Sequence, residues 1–184
     1  DQGYIDYIKW DMNRHLSDIF SASLPAGRQG EVFHRYTLGL YDMLERLTSK
    51  YPDILWEGCS GGGGRFDISF AYYMPQSWTS DNTDAVARLG IQYGTSLVYP
   101  PSVMTSHVSA VPNHQTGRIT PFNTRGDVAM SGVLGYELDL TKLTEEEKEL
   151  VKAQVAVYKD IRELVQYGNF TRLKSPFEGN ETAW

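Results

Sequence analysis

Three short strand-like runs in this chain each stop at a residue able to do chemistry and then give way to polar or glycine-rich punctuation. Tyr4 to Trp10 ends in Asp11, Ile54 to Cys59 ends in the run Ser60-Gly61-Gly62-Gly63-Gly64-Arg65, and Gln76 to Ser80 ends in Asp81. Between them lie segments of helical periodicity. Strand–helix units repeated in this way imply parallel strands covered by helices, an α/β protein.

The helices have their own signals. Across Glu31 to Lys50, Val32, Tyr36, Leu40, Met43, Leu44 and Leu47 recur at three- and four-residue steps, and Tyr51-Pro52-Asp53 stops the helix. A Ser-, Pro- and Gly-rich loop precedes it, from Ser21 to Gly30. Short helices are expected over Arg65 to Tyr73 and Asp84 to Tyr93. Leu97-Val98-Tyr99 reads as a short strand stopped by Pro100-Pro101. Ser102 to Arg125 reads as one long loop carrying His107, Asn113, His114 and Arg118, of a length usually functional or disordered. A short helix and a strand, Val133 to Leu138, are expected within Val128 to Leu140. The last helix is the clearest: Thr144 and Glu147 form a capping box, and Gly168 marks the stop.

In a (β/α)8 TIM barrel the catalytic residues sit at the C-terminal ends of the strands, where Asp11, Cys59 and Asp81 are expected. A full barrel takes about 250 residues. With 184 residues, the chain is expected to hold strands four to eight with their helices, and both ends read as fragment boundaries.

Composition narrows the function classes. Net charge is −6 and the basic residues are scattered, which argues against a nucleic-acid partner. No apolar run approaches the ~20 residues of a membrane span. The single cysteine forbids an internal disulfide and fits a reducing compartment. With no leader at the start, a bacterial cytoplasmic location is expected. No cofactor and no metal are expected: His107 and His114 sit seven apart without Cys or carboxylate at ligand spacing.

Two carboxylates delivered by strand ends to one face of a sheet suit glycosidic bond cleavage. One attacks the anomeric carbon and the other protonates the leaving oxygen. Asp11 must be ionised for attack, and Lys9, two residues earlier on the same side of a strand, would favour that form. A surface Lys–Asp pair is the competing reading. Asp81 must begin protonated, which partial burial and a neighbouring carboxylate promote. Its competing reading is a helix N-cap cluster in which Asp81 or Thr83 caps the next helix, with Asp84 a helix-start residue. Cys59 lacks a Cys–His motif for nucleophilic work and reads as buried. The glycine run lacks the Gly-Lys-Ser/Thr ending of a phosphate loop, so backbone approach to a sugar hydroxyl fits it better. Trp10, Trp56 and Trp78 fit the core, and Trp10 and Trp78 are also candidates to contact substrate.

At Lys9-Trp10-Asp11-Met12-Asn13-Arg14, Cys59 to Arg65 and Ser80-Asp81-Asn82-Thr83-Asp84 the chain resembles family 36 glycoside hydrolases, the microbial α-galactosidases, in order and in spacing. The resemblance implies a retaining mechanism with Asp11 as nucleophile and Asp81 as acid/base. It also implies a galactose pocket lined by Lys9, Asn13, Cys59 and Gly62. On that resemblance residues 1–184 are the C-terminal half of a TIM-barrel catalytic domain, without the family's flanking β domains. The implied partners are α-galactoside oligosaccharides of the melibiose and raffinose type, with no nucleic acid and no membrane, and the implied parent is a homo-oligomer. Galactosyl transfer on the same fold, and a non-catalytic sugar-binding fragment, are the alternatives.

Overall fold

Alternation along each strand sets the architecture. In the computed structural model, which describes residues 3, 5–13, 16–62, 64 and 66–184, the first strand β1 (Tyr7–Asp11) sends Ile8 and Trp10 to one face. There they meet Leu40 and Leu44 of helix α1 (Val32–Lys50) and Phe70 of α2 (Ile68–Tyr73). Tyr7, Lys9 and Asp11 point the other way. Tyr4, Arg14, Gly63 and Arg65, which belong to the strand and motifs read from the sequence, lie outside the described residues.

The remaining strands are β2 (Leu55–Cys59), β3 (Gln76–Trp78), β4 (Met104–Ser109) and β5 (Val133–Glu137). All pair in parallel, in the order β1-β2-β3-β4-β5. A helix follows every strand, namely α1, α2, α3 (Ala85–Ser96), α4 (Phe122–Ala129) and α5 (Glu145–Tyr167). Spatial order that follows chain order without reversal is barrel winding, since a doubly wound sheet reverses at its switch point. The sheet is five strands of such a barrel, with β1 and β5 at its edges.

The two faces differ in chemistry. The outer face is apolar, with one cluster around Leu40, Leu44, Trp56, Phe70 and Met74 and a second around Val108, Phe122 and Ala129. Leu44 is fully buried, and its truncation to Ala would cost about 3 kcal/mol. The inner face is polar: Glu57, Gln76, Trp78, Thr105 and His107 meet there.

That polar interior explains where the sequence reading goes wrong. Leu97 to Tyr99 forms no strand; it is the turn that leaves α3, with Leu97 and Val98 exposed. The strand is Met104-Thr105-Ser106-His107-Val108-Ser109, inside the segment read as a loop. Both its faces are buried, but its inward residues Thr105 and His107 are polar, so apolar alternation does not reveal it. The same segment also holds the first residues of α4, which leaves residues 110–121 as the true connection. Ser21 to Gly30 ends in a 3-10 helix, Ala26–Glu31, braced by Glu31 between Arg28 and Arg35 at 2.6 and 2.8 Å.

The clearest helix signal holds. Thr144 and Glu147 form the expected capping box on α5, and the amide of Gly168 closes the helix on Leu164. Gly168 has an ordinary φ of −75°; it is required because a Cβ would lie 2.4 Å from the Leu164 carbonyl. Among the described residues no helix is long and apolar enough to cross a membrane.

Candidate active site

Asp11 is the last residue of β1, paired with Cys59, the last residue of β2. Asp81 stands just beyond β3, so both carboxylates emerge at the C-terminal rim of the sheet and both are exposed. Between them runs the glycine loop, which ties one to the other.

On the Asp11 side, Asn13 donates from Nδ2 to Asp11 Oδ2 at 3.2 Å, and its Oδ1 accepts from the Gly61 amide. Ser60 Oγ donates to the Met12 carbonyl at 2.6 Å. On the Asp81 side, Gly62 has φ +76°, and a Cβ there would lie 2.5 Å from Ser80 Cα and 2.7 Å from the Asp81 amide nitrogen. Only glycine satisfies both demands. The missing side chain at Gly62 is therefore explained by the approach of the Asp81 backbone.

Among the described residues, the contacts that hold Asp81 are made to its backbone and not to its carboxylate. The buried Arg88 of α3 donates to the Ser80 carbonyl at 2.8 Å and to the Thr105 carbonyl at 3.0 Å. Burial pulls its guanidinium down to about 10, still charged near neutrality. The cap of α3 is Asp84, whose Oδ2 accepts from the Ala87 amide at 3.1 Å and pairs with Arg118. Asp84 is 1 % exposed, so the helix-start role belongs to it, and Asp81 is left free of capping.

Cys59 is buried beneath this rim. Desolvation first, and then its hydrogen bond to Asp11, push the thiol up to about 11. It is a protonated donor beside Asp11 at neutral pH rather than a nucleophile.

Lys9 meets Glu57 and Trp78. Its Nζ is 3.8 Å from Oε1 of Glu57, its partner in register, and 4.9 Å from the centre of the Trp78 ring. Glu57 also accepts from Tyr7 and, at 3.0 Å, from Thr105 Oγ1, and burial pushes its carboxyl up. Trp78 is 2 % exposed, stacked on His107 at 4.5 Å with Arg88 over its ring at 4.2 Å. The His107 ring occupies the space above Gly135, where a Cβ would meet it at 2.5 Å. His107 Nδ1 stands 3.6 Å from Glu137, whose carboxyl it holds below the usual range. His107 is thus a strand residue in a charged layer under the rim.

The structure brings together Asp11, Asn13, Cys59, Gly62 and Asp81, and places Lys9 just below them. It separates Trp10, which packs on the outer face against Trp56 at 5.9 Å, on the side of β1 opposite Asp11. Trp78 is enclosed under the rim instead of flanking an open surface. Sequence reasoning missed Glu57, Arg88 and Gln115. A glutamate inside an otherwise buried strand and an arginine on the inner stripe of α3 were the available signals for the first two. Among the described residues no group of three His, Cys, Asp or Glu side chains could hold a metal ion.

The chain is similar to known proteins along nearly its whole length. Alpha-galactosidase 1 of Pediococcus pentosaceus is 69 % identical over 180 residues, covering 98 % of this chain and 25 % of that protein. Two crystal structures of variants of the GH36 alpha-galactosidase AgaA from Geobacillus stearothermophilus superpose closely. The complex with raffinose has a TM-score of 0.94 at 66 % identity over 97 % of this chain, and the complex with stachyose 0.95 at 67 % over 98 %. The chain spans about a quarter of the length of these relatives. The Melibiase family model matches residues 1–168, and the chain belongs to the Melibiase family.

Proposed function

We propose that this chain is the C-terminal half of the catalytic barrel of a retaining α-galactosidase, with Asp11 the nucleophile and Asp81 the acid/base. The observation that carries this reading is the shared rim. Asp11 and Asp81 leave the C-terminal ends of β1 and β3, and the glycine loop joins one to the other through Asn13 and Gly62. The AgaA complexes add support: the aspartates replaced in the stachyose and raffinose complexes are as far apart in sequence as Asp11 and Asp81.

In the proposed cycle Asp11 attacks the anomeric carbon and Asp81 gives its proton to the departing oxygen. The resulting galactosyl ester is then cleaved by water that Asp81 deprotonates, so two inversions give net retention. The Asn13 amide and the Cys59 thiol orient the attacking carboxylate. Lys9, placed just below, is in position to meet a sugar hydroxyl. Terminal α-galactosides of the raffinose and stachyose type are the proposed substrates. The edges of β1 and β5 are proposed to pair with the barrel's other strands in the full-length enzyme, which alone would close the pocket.

Proton NMR of the first product from p-nitrophenyl α-galactoside tests the mechanism in the full-length protein. The α-anomer of galactose is expected before mutarotation, with the carboxyl groups roughly 5–5.5 Å apart. The β-anomer would mean inversion and remove Asp11 from the nucleophile's role.

A further inference from the structure

We propose that Gln115 is a positioning residue for Asp81, an assignment that rests on the acid/base reading of Asp81. Its carboxamide spans the loop that carries that residue. Nε2 donates to the Asp81 carbonyl at 2.6 Å, and Oε1 accepts from the Thr83 amide at 2.9 Å. A single planar amide thus gives and takes at two points of one turn. A carboxylate has no donor for the first contact, and an ammonium no acceptor for the second.

Gln115 is itself anchored. Oδ1 of the buried Asn113 accepts from the amides of Gln115 and Thr116, both at 3.0 Å. Asn113 Nδ2 donates to Thr83 Oγ1 at 2.9 Å, and Ser109 Oγ donates to the Thr83 carbonyl at 2.8 Å. The connection between β4 and α4 therefore docks on the Asp81 loop through a fixed polar network. Gly62 presses on Ser80 and the Asp81 amide, and Arg88 holds the Ser80 carbonyl. Gln115 holds the carbonyl of Asp81 itself. Its side chain is exposed and adds nothing to the core, so its loss separates positioning from packing.

A general acid works only within hydrogen-bond reach of the leaving oxygen, and displacement by about 1 Å can cost about a hundredfold. The loss must then depend on the leaving group. A sugar alkoxide needs the proton, whereas p-nitrophenolate departs without it.

The test is kcat/KM for raffinose and for p-nitrophenyl α-galactoside in the full-length enzyme, comparing wild type with Gln115→Ala, Gln115→Glu and Asp81→Ala. Gln115→Glu keeps an acceptor for Thr83 and loses the donor to Asp81, so it remains informative if the alanine variant folds poorly. Both Gln115 variants are expected to lose about tenfold or more on raffinose and less than about threefold on the nitrophenyl substrate. Asp81→Ala is expected to show the same split more strongly. Equal losses on the two substrates, or none, in the Gln115 variants while Asp81→Ala shows the split would overturn the positioning role. If Asp81→Ala shows no split, the acid/base reading fails and this assignment fails with it.

Discussion

Asp11 and Asp81 stand on either side of β2 at one rim, yet the fold grips them at opposite ends. Asp11 is held by its carboxylate, through Asn13 at 3.2 Å and the Cys59 thiol, while its strand lies at the edge of the sheet. Asp81 is held by its backbone, through Arg88, Gly62 and Gln115, while its carboxylate is exposed. The contrast matches the proposed roles. A nucleophile stays ionised until it attacks and gains from donors that fix its lone pairs. An acid/base must lose and regain a proton each turnover, so fixed donors on its oxygens would bias it toward one form. Holding the main chain fixes the place from which the proton is delivered.

Substitutions on the two sides sharpen that contrast. The largest effect is expected at the carboxylate end: Asp11→Ala should lower kcat in the full-length enzyme by about 10⁴-fold or more with its thermal melt intact. Steady-state kinetics beside a melting curve checks both. Arg88→Met should do the reverse and act first on stability. It strands the part-buried Ser80 carbonyl and the buried Thr105 carbonyl, at a cost of about 3 kcal/mol, read as a fall in Tm.

Gly62→Ala comes next, because it meets both sides at once. The alanine would need a φ of +76° and would push Ser80 away, so about 2 kcal/mol of stability should go together with kcat. Loss of stability with full activity would show that Asp81 does not depend on this contact. Asn13→Ala should cost about 1 kcal/mol of transition-state stabilisation, near a fivefold fall in kcat, with little change in Tm. The smallest effect is chemical. Cys59, with its thiol raised to about 11, should alkylate with iodoacetamide far more slowly at pH 8 in the folded protein than in urea. The stability tied to this proton should be complete below the ordinary thiol range and lost as pH rises through about 11, because the folded state binds the proton more tightly.

The same division governs what the sequence disclosed. Helix α5 was legible because its capping box and apolar stripe are local. Asp11 and Asp81 were legible because strand-end carboxylates stand out against apolar runs. Strand β4 was hidden, since the barrel interior is polar and Thr105 and His107 face it. Gln115 was hidden for a different reason: its partners are Asp81 and Thr83, more than thirty positions away, and no local pattern marks such a bridge. Trp10 shows the limit of adjacency, because one step along a strand places it on the face opposite Asp11.

The most direct test of the paired roles is the anomeric configuration of the product when azide replaces the missing carboxylate. In Asp11→Ala, azide would enter from the face that the nucleophile occupied and give β-galactosyl azide. In Asp81→Ala, it would attack the galactosyl-Asp11 ester and give α-galactosyl azide. The account predicts those two opposite products from full-length enzyme and an activated α-galactoside. The same anomer from both variants, or the two reversed, would contradict it.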